Sequence, residues 1–158
     1  MTRRATVIVS STRAANGTYE DRTGPVIVDW LIDRGFVTSE AAVVADGPEV
    51  EHALRDAVAS GVDLVITTGG TGVGVGDMTA DATAALLTAP LPGFGEELRR
   101  RGAATTPRAI LSRGVAGIAG RTFIVNFPGS SGGVRDGLEL LGEVVDHVLD
   151  QLAGGTHD

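Results

Sequence analysis

The chain has 158 residues, 42% of them hydrophobic, a net charge of −7 and no cysteine. That balance fits one globular domain with a sizeable core, and it excludes disulfides, thiolate metal sites and cysteine nucleophiles. All 13 residues counted as Lys plus Arg are arginine, which excludes a P-loop lysine, a Schiff-base lysine and a lysine nucleophile, while the acidic balance argues against nucleic acid as a partner.

Ala5-Thr-Val-Ile-Val-Ser10 is a short continuous apolar run and predicts a buried strand. It is too short for a signal-peptide core or a membrane span, so a cytoplasmic location and no membrane partner are expected. Pro25 to Arg34 predicts a helix with Ile27, Trp30 and Leu31 on one face, Pro25 at the first helical position and Gly35 as the stop. Ala41–Ala45 predicts a second strand. Pro48 to Ser60 predicts a helix that aligns Val50, Leu54, Ala57 and Val58. Leu64-Val-Ile66 is the core of a third strand that ends in Thr67-Thr68-Gly69-Gly70-Thr71-Gly72. Thr79–Thr88 predicts a helix. Pro90 to Pro92 breaks the pattern, and Gly93-Phe-Gly95 opens a short charged helix, Glu96 to Arg101. Ile110 to Ile118 is glycine-interrupted and fits neither period. Thr122–Phe127 predicts a strand, and a long helix follows from about Gly132 to Leu152, with Val134, Leu138, Leu141, Val145, Val148 and Leu152 in one stripe. One domain is expected over residues 1–153, with 154–158 as a frayed tail. The alternation of buried strands and helices predicts an α/β fold, a single doubly wound, mostly parallel sheet with helices on both faces.

In such sheets ligands bind beyond the carboxyl ends of the strands. The loops there carry Ser10, Ser11, Thr12 and Arg13, then Asp46-Gly47, the glycine loop, and Pro128-Gly129-Ser130-Ser131-Gly132-Gly133. The glycine loop fails the dinucleotide fingerprint, because Asp77 stands where glycine or alanine is needed, and it fails the Walker A pattern for want of lysine. It remains a different phosphate cradle or a tight turn. As a cradle it offers ATP the backbone of Thr68, Gly69, Gly70, Thr71, Gly72, Gly74 and Gly76 beside a helix N-terminus. Asp77 and Asp81 fit Mg2+ held jointly with phosphate oxygens. The plainer reading, favoured on the residues alone, is of charges complementing a helix start, with Thr79 as N-cap. Asp46 has the plainer reading of an Asx turn before Gly47-Pro48. Arg99-Arg100-Arg101 reads as a solvated face, and Arg13, Arg108 and Arg113 are the better phosphate candidates. His52, His147 and His157 are isolated, with no zinc cluster, and no serine has a partner histidine in a triad-like context.

Together these segments resemble the molybdopterin adenylyltransferases, the Mog/MoaB family of molybdenum-cofactor biosynthesis. The resemblance rests on Thr68-Gly69-Gly70-Thr71-Gly72 followed by Asp77-Met78-Thr79-Ala80-Asp81-Ala82-Thr83. It extends to Gly17-Thr-Tyr19-Glu-Asp21, Pro92-Gly93-Phe94-Gly95-Glu96, Leu111-Ser112-Arg113 and Asn126-Phe127-Pro128-Gly129. Ala80 departs from the proline usual in the family, which loses a preset first-turn φ but no functional group.

The resemblance implies adenylylation of molybdopterin by Mg–ATP with release of pyrophosphate, in a homotrimer, with a downstream molybdate-inserting enzyme as a further partner. It implies Asp46, Asp77, Asp81 and Glu96 as catalytic residues and Mg2+ on Asp77 and Asp46. It implies molybdopterin contacts from Ser11, Arg13, Ser112, Arg113, Pro128, Gly129, Ser130 and Ser131. The alternative within the family is a MoaB-like protein or carrier that binds molybdopterin with little adenylylation. The molybdate-inserting step itself is disfavoured, since proteins of that class carry extra domains for which 158 residues leave no room.

Overall fold

The computed structural model describes residues 2–155. In chain order it contains β1 (Arg4–Ser10), α1 (Thr12–Ala15), α2 (Thr23–Asp33), β2 (Val37–Thr38), β3 (Ala42–Val44), α3 (Pro48–Ala59), β4 (Leu64–Thr68) and α4 (Thr79–Leu86). These are followed by β5 (Ala89–Pro90), α5 (Pro92–Ala103), a 3-10 turn (Pro107–Leu111), β6 (Ala116–Ala119), β7 (Thr122–Phe127) and α6 (Ser131–Leu152).

The two central strands, β4 and β7, are buried along their whole length. Both faces of the sheet are therefore covered, which is why they read as continuous apolar runs rather than alternating ones. The strand order is β2-β1-β4-β7-β6-β5, with β3 also on β1. β2 and β3 lie along the same edge of β1, pairing Arg4–Ala5 and Ile8–Ser10 respectively; the predicted second strand is β3, and β2 is an unpredicted short piece of the same edge. β1, β4 and β7 are parallel, whereas β6 and β5 run antiparallel to their neighbours. The sheet is thus mostly parallel with an antiparallel margin, and the expected α/β class holds.

Alternate residues of the central strands feed two cores. Val7, Ile66 and Val125 pack with Ile27 and Leu31 of α2, Leu98 of α5 and Leu138 and Leu141 of α6. Ile8, Val65 and Ile124 pack with Val50 and Leu54 of α3, with Leu86 of α4 alongside. Each such side chain, taken fully out of water, contributes about 1.5–3 kcal/mol. Among the described residues no helix is long and apolar enough to cross a membrane.

Several boundaries differ from expectation. α2 begins at Thr23, two residues early, because the Asp21 carboxylate accepts the N–H groups of Thr23 and Gly24. Pro25 therefore sits third in the helix, still within the turn whose N–H groups have no intrahelical partner. α5 starts at Pro92 and runs to Ala103, since proline suits a first turn. Within the arginine run, Arg100 and Arg101 pair with Glu97, and Arg101 also with Glu143, on the solvent side. Arg99 instead turns inward to the carbonyls of Ser112 and Gly114. Thr79 is not an N-cap: Met78 holds that position, and Thr79 is the first helical residue, fully buried. Gly154 and Gly155 close α6 by donating to Gln151 and Asp150 carbonyls. The rest of the expected tail, 156–158 with His157, lies outside the described residues.

Candidate functional site

The carboxyl ends of β1, β4 and β7 lie side by side, so their loops share one edge of the sheet. Gly69 and Gly70 follow β4 with φ of +88° and +69°, a region that only glycine occupies at no cost. A Cβ on Gly69 would strike the Ser10 carbonyl, and one on Gly70 would strike Thr79 Oγ1. Backbone is therefore forced against backbone here. Gly69 N–H donates to Phe127 O, and Thr68 Oγ1 donates to Pro128 O, which ties the glycine loop to the loop after β7. Gly129 completes the contact: a Cβ there would lie 3.3 Å from Gly69 Cα.

Beyond this ridge the loop turns back on itself. Gly74 N–H donates to Asp77 Oδ2 at 3.0 Å, and Asp77 N–H donates to Gly74 O. The N–H groups of Gly70, Gly72, Val73, Val75 and Gly76 make no hydrogen bond to the described residues. Five unspent donors on a glycine-rich loop that leads into a helix form a ready anion site. Asp46 stands beside it, since a Cβ on Gly76 would lie 3.8 Å from Asp46 Cβ. Its Oδ1 accepts Ser10 Oγ at 2.6 Å, and its Oδ2 accepts the N–H and hydroxyl of Thr12 at 3.3 and 3.1 Å. Asp46 is thus more than an Asx turn, because its bonds cross from β3 to the end of β1.

Two cavities flank the ridge. The larger, of about 490 Å3, is lined by Thr71, Gly72 and Val73, by Leu98 and Arg99 of α5, by Arg108 and Ser112, and by Pro128, Ser130 and Arg135. The smaller, of about 240 Å3, is lined by Ser10, Ser11, Arg13, Tyr19, Asp21, Thr68, Gly69, Gly129, Ser130 and Ser131. Ser130 lines both. It also caps α6, accepting Gly133 N–H at 3.0 Å.

The predicted molybdopterin contacts therefore divide between the two cavities. Ser11, Arg13, Gly129, Ser130 and Ser131 face the smaller one, and Ser112, Pro128 and again Ser130 face the larger. Ser11 caps α1, and the guanidinium of Arg13 lies 5.3 Å from the Tyr19 ring centre. Arg113 lines neither cavity. Its side chain is spent on the glycine loop and on Asp81, which it meets at 3.1 Å. Glu96 is exposed on α5, its side chain makes no hydrogen bond to the described residues, and it lines neither cavity.

Mg2+ fits the donors in one respect. Asp46 and Asp77 supply the few carboxylates that magnesium needs when phosphate oxygens complete its shell. Among the described residues no group of three or more His, Cys, Asp or Glu could hold a metal by itself. Ser10 and Thr12, placed by the sequence at the ligand edge without a role, orient Asp46, and Arg99, not anticipated in the site, supports the Ser112–Gly114 turn and reaches the larger cavity. Asn126 was known only as part of a motif. It is buried, donates to Thr67 and Thr83 hydroxyls and accepts Val115 N–H, and so joins β4, α4 and β6 beneath the site.

The chain matches the family model described as "Probable molybdopterin binding domain" over residues 6–147. The chain belongs to the Mog/MoaB molybdopterin-binding family. It is 35% identical to a molybdopterin adenylyltransferase of Helicobacter pylori, over 94% of this chain and 86% of that protein. It is 41% identical to a molybdenum cofactor biosynthesis bifunctional protein of Synechococcus elongatus, over 97% of this chain. The chain spans about half the length of that relative, 48%. Among solved structures, the molybdopterin biosynthesis Mog protein from Mycobacterium ulcerans superposes with a TM-score of 0.92 at 51% identity, covering 98% of this chain and 99% of that one. Membership in the family carries a role in molybdopterin handling, and the mostly parallel α/β sheet is the fold of these neighbours.

Proposed function

We propose that this protein transfers the adenylyl group of ATP to molybdopterin. The observation that carries the reading is the pair of cavities meeting at one ridge, with Ser130 exposed to both. Two substrates bound on either side would bring their reacting ends together at Gly69, Gly129 and Ser130. Holding them so supplies the proximity on which a two-substrate displacement depends.

In this reading ATP lies over the glycine loop. Its triphosphate takes the free N–H groups of Gly70, Gly72, Val73, Val75 and Gly76, and its nucleoside enters the larger cavity. Molybdopterin occupies the smaller cavity, with Arg13, Ser11, Ser130 and Ser131 as polar contacts. A phosphate oxygen of molybdopterin attacks the α-phosphorus. The bond from that phosphorus to the bridging oxygen breaks, and pyrophosphate leaves with the electron pair. No protein nucleophile is required, in keeping with a chain that lacks both lysine and cysteine. Asp46 and Asp77 would hold Mg2+, which when bound offsets charge on the phosphates. The chain's own residues position the substrates and present fixed dipoles to the developing charge. Asp46 is held by Ser10 and Thr12, and Asp77 by the Gly74 N–H, so neither carboxylate has to reorganise during the reaction. Glu96 keeps its place on resemblance alone.

The product is an activated phosphoanhydride, which a molybdate-inserting enzyme would consume. A homotrimer and a cytoplasmic location belong to the same reading. The test is binding with two ligands. Mg–ATP and molybdopterin should each bind, neither should displace the other, and the mixture should release pyrophosphate. Mutual displacement, or joint binding with no pyrophosphate, would favour a molybdopterin carrier.

A further inference from the structure

Arg113 is chemically the most committed side chain near the site, and its partners all lie in the nucleotide loop or at the start of α4. Nε donates to Gly72 O at 2.9 Å, and Nη2 donates to Asp77 O at 2.9 Å. Nη1 meets both oxygens of Asp81 at 3.1 and 3.2 Å. The backbone N–H of Arg113 donates to Thr71 O at 2.7 Å. One residue 41 positions from Gly72 in the chain therefore grips the glycine loop at Thr71, Gly72 and Asp77. The stretch between them is the part that exposes the free N–H groups.

We infer that Arg113 is a positioning residue for nucleotide binding, a latch that holds residues 71–77 in the shape that receives phosphate. This deepens the adenylyl-transfer reading and rests on it for the identity of the ligand. The need for a latch follows from composition. Gly72-Val-Gly-Val-Gly76 has three glycines in five residues, and Val73 and Val75 are exposed and pack on nothing that would hold them. Glycine loses more freedom on ordering than any other residue, so a loop of this kind presents an ordered row of donors only when it is tied down from outside. A planar fork with donors in fixed directions can tie two carbonyls and a carboxylate at once, which a lysine ammonium cannot do.

The carbonyl bonds carry the latch, and the ion pair only trims it. Asp81 is 71% exposed at its side chain, and exposed pairs contribute little. Asp81 accordingly acts through Arg113, not on the substrate. The same geometry spends most of the Arg113 fork on the ATP side of the ridge.

The experiment compares wild type, Arg113→Ala, Arg113→Lys and Asp81→Asn. Hydrogen exchange of the apo proteins is followed at the Gly74 and Asp77 amides, the two bonded N–H groups inside the loop, with β4 and β7 amides as the internal control. Mg–ATP and molybdopterin affinities are measured in parallel. Losing two backbone-directed bonds should speed loop exchange and weaken Mg–ATP by about tenfold or more in the Ala and Lys variants, while molybdopterin affinity and core exchange stay within about twofold. Asp81→Asn should leave loop exchange within about twofold of wild type. Unchanged loop exchange in either Arg113 variant overturns the latch, as does loss of molybdopterin affinity with ATP affinity kept. If Arg113→Ala does not fold, the Lys variant decides by the same readings. If wild type itself does not bind Mg–ATP, the adenylyl-transfer reading fails, and loop exchange alone decides the latch.

Discussion

Asp77→Asn separates a metal-holding carboxylate from a helix-start charge. In the apo protein Asp77 Oδ2 accepts one hydrogen bond, from Gly74 N–H at 3.0 Å, and the residue is half-buried. Asparagine has the same shape and keeps an acceptor oxygen, so the fold loses only the difference between a charged and a neutral acceptor. That difference, with the lost charge near the α4 N-terminus, amounts to about 1 kcal/mol. For a chain of this length it lowers Tm by about 2–4 °C. If Asp77 carries Mg2+ against the triphosphate, the same substitution removes a fixed charge from the transition state, and turnover should fall about 100- to 1,000-fold. Melting temperature and pyrophosphate release, measured on one preparation at saturating substrates, give both quantities. A small Tm change with turnover within about threefold of wild type would refute the metal role and leave Asp77 as a loop brace.

Other perturbations probe other parts of the site and fold. Gly70→Ala places a Cβ against Thr79 Oγ1 at a φ of +69°, so it should destabilise by about 1–3 kcal/mol and be visible as a lower Tm in thermal unfolding; unchanged stability would mean that the loop lies elsewhere. Arg13→Ala, which removes a guanidinium lying over the Tyr19 ring, should weaken molybdopterin binding and leave Mg–ATP affinity within about twofold; the reverse pattern would exchange the two cavities. Hydrogen bonds from Arg100 and then Arg101 hold the Glu97 carboxyl at about 2, below its ordinary 4.5. A carboxylate depressed by folding stabilises above its unfolded pKa and loses that contribution as pH falls. Wild type should therefore lose Tm faster than Glu97→Gln between pH 4.5 and about 2, and parallel Tm curves would contradict the pairing.

What could be read from the chain follows the reach of each signal. β4 and β7 were legible because burial on both faces writes a continuous apolar run, and each run ends in glycine or proline. β5 and β6 were not. Ala89–Pro90 is two residues long and Ala116-Gly-Ile-Ala119 is interrupted by glycine; β6 is a strand only because the β7 edge offers it a partner, and β5 only because β6 does. The break between β2 and β3 is similarly a property of the edge of β1. In the site, the glycine loop and Asp46 could be placed by rule, since loops at the carboxyl ends of parallel strands converge. The direction of Arg113 could not be. Its position 41 residues from Gly72 in the chain says nothing about which carbonyls its fork meets. Arg99 was hidden for the opposite reason: it belongs to a charged run whose other members, Arg100 and Arg101, are paired with Glu97.

The most direct test of adenylyl transfer follows the α-phosphate itself. ATP labelled at that phosphate is incubated with the protein, Mg2+ and molybdopterin, and the products are separated. Adenylyl transfer places label in adenylylated molybdopterin, releases one unlabelled pyrophosphate per transfer, and gives no product when molybdopterin is omitted. Molybdopterin recovered bound but unlabelled, with ATP intact, would contradict it and make this protein a binding member of its family.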